Sequence, residues 1–491
     1  MLVTCRQMQE MEERAFAQGV QAADLMEVAG IGIAQVVHQF FPAAGTLILY
    51  LGSGNNAGDA LVAARELQKE GWKVFARLSG EPGKMKALPQ KHWNELEGVE
   101  WLHHPPPSNL QAPLVLLDGL LGIGSRGPLR PTLAALSAEM NGLRISHRAI
   151  TIAMDIPSGL DGDTGQGHPD AVVADITATI AACKIGLVAD AATHHVGRLG
   201  LVPLPQLDDF LPHKATSERL LMPAFLRPHL PRRNFDFHKG QAGRVGILAG
   251  SPGYYGAAEL ACRAALRAGA GLVTLIVKSA AYDILARRVP AEVMVKSVKD
   301  YREIMEMRWD ALAIGPGLGF ADETEYLDLI RQTSVRCIVD ADALTALARQ
   351  GTGTLKNCAA SHLLTPHPGE MARLMPNSAN LTRREQAEGW AANHRGHTLL
   401  LKGARTVIST HGLDTLYNTT GHPGMATGGM GDVLTGVAAA LIGQAIPTHF
   451  AAGLAAWLCG RAAEIQAVNQ AAESTLPTDV IQQLGRAWAE L

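Results

Sequence analysis

Several marks of large protein classes are missing from this chain. Its six cysteines (Cys5, Cys183, Cys262, Cys337, Cys358 and Cys459) are scattered through 491 residues without a CxxC pair. That excludes a disulfide framework and a zinc site and favours a reducing compartment. Charge of one sign is missing too: 43 Lys and Arg stand against 46 Asp and Glu, a formal net charge of −3 without basic clusters. Nothing in that balance points to nucleic acid or to an anionic membrane as a partner. The opening MLVTCRQMQEMEERAF has no apolar run of signal-peptide type. The nearest approach to a membrane span, 433–460, is interrupted by Gln444, Pro447 and His449, so a buried core helix is expected there and a cytoplasmic location overall. No GxxxxGK[ST] occurs, which excludes a P-loop enzyme, and no repeat relates the two halves.

What is present is a globular composition, 47% hydrophobic and 18% charged, with 51 glycines that follow no three-residue period. The length predicts two large domains. Short apolar runs alternate with Ala-rich helical stretches. TLILYL (46–51), WKVFARL (72–78), LVLLDGL (114–120) and AITIAMDI (149–156) form a first series. RVGILAG (244–250), GLVTLIV (271–277), ALAIGPG (311–317), RCIVDADAL (336–344) and HTLLLKG (397–403) form a second. Continuous apolar strands separated by helices predict α/β domains with parallel sheets covered on both faces. The stretch 213–240, with three prolines and no strong periodicity, is the candidate boundary. The expected domains are therefore 1–212 and 220–491, with ligands at the carboxyl ends of the strands.

In the first half, the turn GSGNNAGD (52–59) joins a strand to a helix. Gly52, Gly54 and Gly58 allow tight turns, the helix start offers free N–H groups to a phosphate, and Asn55, Asn56 and Asp59 add polar side chains. The alternative is a simply capped turn. Asp118 ends a strand before GIGSRGP (122–128). This run matches GxGxxG formally, but Pro128 and Pro131 follow and no acid stands near 147, so a dinucleotide fingerprint is rejected and an anion-binding loop retained. Arg126 there either pairs with phosphate or is solvated. DIPSGLDGDTG (155–165) puts Asp155 at a strand end, where Ser158, Asp118 and Asn56 can converge as hard oxygen ligands suited to an alkali or alkaline-earth cation. The Asp161–Asp163 run resembles a calcium loop, but turn chemistry is favoured.

In the second half, AGSPGYYGAAELACRAALRAGAG (249–271) reads as strand, Gly/Ser loop and helix, whose Ala257–Ala270 stripe is core packing. GPGLG (315–319) and VDADAL (339–344) end further strands. LTPHPGEMARL (364–374) carries His367 in a Pro-braced loop, with Glu370 placed to start the next helix; Lys402 sits at a strand end. His367 and Lys402 each have a structural alternative. The strongest stretch is NTTGHPGMATGGMGDVLTG (418–436). Gly428, Gly429 and Gly431 lead into a helix whose free N–H groups form an anion hole for a transferring phosphoryl group. Asp432, at the N-cap or first turn, is either a cap or a base for a substrate hydroxyl. The glycine density exceeds what a cap requires and favours the base.

These motifs carry a resemblance. Over about 235–450, AGSPGYYGAAELA, GPGLG, DADAL, LTPHPGEMARL, LKGARTVI and ATGGMGDVLTG occur in the order seen in the ribokinase-like superfamily. GSGNNAGD, DGLLGIGSRGP and DIPSGLDGDTG resemble the epimerase (YjeF N-terminal) family. Together the chain resembles the bifunctional NAD(P)H-hydrate repair enzymes. The resemblance implies a Rossmann-like three-layer αβα first domain and a ribokinase-like αβα sandwich second domain. It implies that Asn55, Asn56, Ala57, Gly58 and Asp59, with Gly122, Ile123, Gly124, Ser125, Arg126, Gly127 and Pro128, contact the hydrated nucleotide. Asn56, Asp118 and Ser158 would hold K+, and Asp155 would sit at the reacting ring. Ala257, Gly317 and His367 would line the second site; Lys402, Gly403, Ala404, Arg405, Thr406 and Gly431 would hold ADP with Mg2+; Asp432 would be the base.

The implied chemistry is repair of NADH and NADPH hydrated at nicotinamide C6 (NADHX and NADPHX). The first domain would interconvert R and S epimers through a ring-opened or iminium-like species. The second would dehydrate the S epimer with ADP, giving AMP and phosphate. A homo-oligomer, tetramer or larger, is also implied. Family loops carry glycine where this chain has Ala57 and Ala60, a cost of about 1 kcal/mol or more if either position needs positive φ. The segment 174–187 keeps Asp175 and Lys184 but lacks a histidine after the aspartate, and Thr345 stands where asparagine is usual. The competing activity is a ribokinase-type kinase for a small alcohol, with the first domain as a nucleotide-binding module.

Overall fold

The computed structural model describes residues 1–107, 110–124, 127–212, 217–468 and 470–491. It divides into two compact units, Met1–Glu218 and Arg219–Leu491. The stretch 213–240 is not wholly structureless: its described residues include a strand, Glu218–Leu221, and a short helix, Pro223–Leu226.

The first unit runs β1 (Leu2–Val3), α1 (Cys5–Ala17), α2 (Ala22–Phe40), β2 (Thr46–Leu51), α3 (Asn55–Lys69), β3 (Lys73–Leu78), α4 (Ala87–Glu95), β4 (Glu100–Trp101), β5 (Leu114–Gly119), α5 (Pro131–Ser146), β6 (Ile150–Met154), β7 (Ile176–Ile180), β8 (Cys183–Lys184) and β9 (Arg198–Val202). Seven strands form one parallel sheet in the order β4-β3-β2-β5-β6-β7-β9. Every residue of β2 and β5 is buried, because helices cover both faces. Alternation sends Leu47, Leu49 and Leu51 into one cluster with α2 and α3. Ile48 and Tyr50 go to the opposite cluster with Leu133, Leu136 and Met140 of α5. The result is the expected three-layer αβα arrangement.

In the second unit the strands continue as β10 (Glu218–Leu221), β11 (Arg244–Leu248), β12 (Leu272–Lys278), β13 (Val293–Val298), β14 (Ala311–Ile314), β15 (Cys337–Val339), β16 (Leu363–Leu364), β17 (Thr398–Leu401), β18 (Val407–Thr410) and β19 (Thr415–Asn418). Their order is β10-β19-β18-β17-β16-β15-β14-β11-β12-β13. From β17 to β13 the pairs are parallel, whereas β17–β18 and β18–β19 are antiparallel. The expected parallel sheet thus continues at one end as an antiparallel pair of strands, because the link between β17 and β18 is too short for a crossover.

The segment 433–460 forms parts of two core helices, Met430–Gly443 and Thr448–Ala467, broken near Ala445, whose φ is 65°. Among the described residues no helix is long and apolar enough to cross a membrane. Met430–Gly443 packs against Tyr255–Arg267, where a Cβ on Gly436 would lie 2.1 Å from the Ala261 carbonyl oxygen. Ala258, Ala261, Ala264 and Ala265 are fully buried there, the predicted packing stripe.

Candidate functional site

Each unit has a polar centre at the carboxyl ends of its strands. In the first, α3 begins at Asn55 with Gly54 as N-cap. The expected turn is therefore shorter, and Asn55–Asp59 lie within the helix. Ala57 and Ala60 are fully buried helical residues and neither has positive φ, so the anticipated alanine cost does not arise. A Cβ on Gly58 would lie 2.4 Å from Met26 Sδ; it and Ala57 pack into the core, not the cleft.

An open cleft of about 540 Å³ lies here, lined by Asn55, Asn56, Asp59, Gly122, Ile123, Gly124 and Asp155. Gly127 and Pro128 are exposed beyond that lining; Ser125 and Arg126 lie outside the described residues.

Asp155 follows β6 with φ 66°, a left-handed conformation that costs a non-glycine residue about 1–3 kcal/mol. Its Oδ1 accepts from the Ile180 N–H at 3.0 Å, the Thr179 hydroxyl at 3.4 Å and the Lys184 ammonium. Lys184 is buried and also donates to the Ile180 carbonyl at 2.9 Å. Two further acids line the cleft. Burial and the nearby charges of Asp155 and Glu12 push the Asp59 carboxyl well above its ordinary range. Glu12 of α1 is raised by burial and Asp155, with Lys184 opposing.

Behind the cleft floor, Asn56, Asp118 and Ser158 meet around Leu121. Asp118 accepts from the Ser158 N–H and hydroxyl, both at 2.7 Å. The Leu121 N–H donates to Ser158 Oγ at 3.0 Å, and the Asn56 amide donates to the Leu121 carbonyl at 2.9 Å and the Met154 carbonyl at 3.2 Å. Asp118 is fully buried and has no cationic partner among the described residues. Burial pushes its carboxyl up to about 6 against these hydrogen bonds. The Asp161–Asp163 run is a turn: Asp161 Oδ1 accepts from the backbone N–H groups of Asp163 and Thr164 at 2.9 and 2.7 Å.

In the second unit, Gly429 caps the helix Met430–Gly443 with φ 97°, and no side chain caps that end. Its first-turn N–H groups are left for a ligand, and Asp432 stands in that turn. Beneath the tip, Asp340 at the end of β15 accepts from Lys402 Nζ at 2.7 Å and from the Thr435 hydroxyl at 2.8 Å. Lys402 Nζ also lies 3.7 Å from Glu370. A Cβ on Gly431 would sit 3.5 Å from Lys402 Nζ. Burial first, then the charges of Asp340 and Asp342 against that of Lys402, push the Asp432 carboxyl up to about 7. Lys402 is held above its ordinary value, because Asp340 and Glu370 outweigh its burial. Ala341, next to Asp340, has φ 49°, so both centres hold a left-handed non-glycine residue at a strand end.

His367 is the N-cap of Pro368–Leu374. Its Nδ1 accepts from the Gly369 N–H at 3.0 Å, and Glu370 returns the bond to the His367 N–H at 2.8 Å. Gly317, φ 61°, faces Ala257: a Cβ there would lie 3.3 Å from that of Ala257. The adjoining Gly319 N–H donates to Asp342 at 2.8 Å. In the turn after β17, Gly403 and Ala404 are exposed whereas Arg405 and Thr406 are buried, and Thr406 donates to the Gly403 carbonyl at 3.2 Å. Reading the sequence did not single out Glu12, Lys184, Asp340 or Thr435 as site residues. For Lys184 and Asp340 the signal is a Lys or Asp inside an otherwise apolar strand end, in AACKIG and CIVDAD; Glu12 and Thr435 carry none.

Residues 245–486 match the NAD(P)H-hydrate dehydratase family and residues 22–186 the YjeF-related protein N-terminus. The bifunctional NAD(P)H-hydrate repair enzyme Nnr of Moorella thermoacetica is 36% identical over 98% of this chain and 96% of its own length. The Escherichia coli protein of the same name is 34% identical over 96% and 91%. A crystal structure of the ADP/ATP-dependent NAD(P)H-hydrate dehydratase of Bacillus subtilis, co-crystallised with ATP/Mg2+, superposes with a TM-score of 0.51 at 30% identity, covering 56% of this chain and 99% of that one. The ribokinase-like fold accords with the competing kinase reading only as a fold.

Proposed function

This chain belongs to the family of bifunctional NAD(P)H-hydrate repair enzymes, uniting an epimerase and a dehydratase unit, and from that premise we propose which residues perform each step. In the dehydratase, Asp432 takes the proton of the C6 hydroxyl as its oxygen attacks the β-phosphorus of ADP. The uncapped N–H groups at Gly431 and its neighbours hold the transferring charge. AMP leaves; phosphate then departs with the C6–O electron pair, and loss of a proton restores the dihydronicotinamide. Phosphorylation is needed because hydroxide leaves poorly. The observation that carries this reading is Asp432 in an uncapped helix turn, its carboxyl raised to about 7, where a base works best near neutral pH.

Ala257, Gly317 and His367 line the hydrated-nucleotide side. Lys402, Gly403 and Ala404 face the adenine nucleotide, with buried Arg405 and Thr406 shaping that turn. ADP is the donor, with Mg2+ carried on its phosphates; magnesium supplies charge neutralisation there. The B. subtilis relative, described as ADP/ATP-dependent and crystallised with ATP/Mg2+, supports this pairing.

In the epimerase, Asn55, Asn56 and Asp59 of α3, with Gly122, Ile123 and Gly124, contact the substrate. Asp155 sits at C6, where its carboxylate favours a planar cationic ring. Asn56, Asp118 and Ser158 fit K+: they are hard oxygen donors, and the buried Asp118 carboxylate has no countercharge among the described residues. When bound, the ion supplies that charge and steadies the Leu121 loop. The resemblance and the scattered cysteines extend the proposal to a cytoplasmic homo-oligomer, tetramer or larger, without nucleic-acid or membrane partners. Incubation with (S)-NADHX and ADP tests the central assignment: dihydronicotinamide absorbance returns with equimolar AMP and phosphate. Accumulation of a phosphorylated alcohol from an ATP donor, with no such return, would favour the kinase reading instead.

A further inference from the structure

The first cleft contains a carboxyl group for which the site assignments above have no use. Glu12 lies on α1, outside residues 22–186 that match the epimerase family. It lines the cleft with Asp59, Asp155 and Lys184. Epimerisation through the iminium involves two proton transfers: one to the departing oxygen, one from the incoming water. On a planar cation these occur on opposite faces, so two groups are needed.

Asp155 is suited to be the acceptor, since Oδ1 already takes three donors including the Lys184 ammonium. Neither the Glu12 nor the Asp59 carboxyl makes a hydrogen bond or ion pair with the described residues. A part-buried carboxyl beside an existing carboxylate, with nothing donating to it, is stable as the neutral acid. The groups facing Glu12 are Asp155 beyond β6, Lys184 of β8 and Asp59 of α3; Lys86 and Arg130 lie elsewhere on the cleft wall. Asp59 is the more enclosed of the two acids, and the charge of Glu12 reaches it.

Building on the epimerase reading, we infer that Glu12 is the catalytic acid of the epimerisation and Asp155 its opposing base. The C6–O bond breaks with its electron pair on oxygen, which takes the Glu12 proton and leaves as water, while the N1 lone pair closes the C6=N1 iminium. A water oxygen then forms a C6–O bond on the other face. The iminium pair returns to N1, and the water's proton passes to Asp155. Transfer of that proton back to Glu12 through cleft water resets the site. In the reverse reaction the two carboxyls exchange roles.

The test uses the full chain and separated R and S epimers, with dehydration of the S epimer as the internal control. For Glu12→Gln we expect kcat for epimerisation to fall about 100-fold with KM little changed. The alkaline limb of the wild-type profile, where Glu12 loses its proton, disappears, and dehydration of the S epimer continues. Wild-type epimerisation by Glu12→Gln, or a loss confined to KM, overturns the inference. If Glu12→Gln also lost dehydration, Glu12→Asp decides: recovery of epimerisation with its alkaline limb supports the acid, and failure to recover refutes it. A wild-type enzyme that dehydrates the S epimer yet leaves the R epimer untouched overturns the epimerase reading itself, and this inference with it.

Discussion

Two charges of opposite sign flank the base of the dehydratase, and removing each in turn moves its titration in opposite directions. Asp340 raises the Asp432 carboxyl and Lys402 lowers it, both against a background of burial that brings the group to about 7. A base must be ionised to act, so kcat/KM for the S epimer falls on the acid side, about tenfold per pH unit below about 7. Asp340→Asn deletes a like charge and leaves Lys402 in place. A neighbouring like charge is worth about one pKa unit or more, so the acid limb shifts to lower pH by roughly that amount. Lys402→Met deletes the opposing charge and shifts the limb to higher pH. The absolute rate falls in both, since each breaks the 2.7 Å Asp340–Lys402 pair beneath the helix tip, but the direction of the shift is independent of that loss. Rates from pH 5 to 9, with melting curves to select conditions where each variant is folded, give the answer. A limb that stays fixed in both variants, or moves the same way in both, refutes Asp432 as the titrating base.

Lys184→Met leaves Asp155 buried with its ammonium gone. Because truncating one partner of a buried pair exposes an uncompensated charge, we expect about 3–5 kcal/mol of lost stability by urea unfolding. Gly431→Ala adds a Cβ at ordinary van der Waals distance, 3.5 Å from Lys402 Nζ. Its melting temperature should stay near wild type while ADP-dependent dehydration drops about 10-fold or more, since the methyl crowds the N–H groups of the helix tip. Exchanging K+ for a bulky organic cation should lower the melting temperature and slow epimerisation, measured by scanning calorimetry and epimer resolution; Asp118→Asn should abolish both responses.

The architecture was legible because central strands buried on both faces must be apolar throughout: TLILYL, LVLLDG and RVGIL read directly as strands. The glycine loops were legible for the same kind of reason, since Gly429 adopts a left-handed conformation. The antiparallel edge was hidden, because LKGARTV looks alike whether its turn leads to a crossover or a hairpin. The start of α3 was misplaced, as Asn and Gly favour turns locally while packing against Met26 makes the segment helical. Partnerships across the fold left no local trace: Lys402 and Asp340 are 62 residues apart, and Lys184 and Asp155 are 29. Nothing in the sequence around Glu12 marks it as a cleft residue; only the fold brings α1 to the cleft.

One measurement reaches the central claim, that two distinct carboxylates in one chain divide epimerisation from dehydration. An equilibrated mixture of R and S NADH hydrate is given excess ADP, and both epimers and the restored NADH are followed to completion. The wild type should consume both epimers. Asp155→Ala should stop once the S fraction is spent, and Asp432→Asn should restore no NADH while still re-equilibrating a purified epimer. Full restoration by Asp432→Asn, or complete consumption of the R epimer by Asp155→Ala at the wild-type rate, would contradict the account.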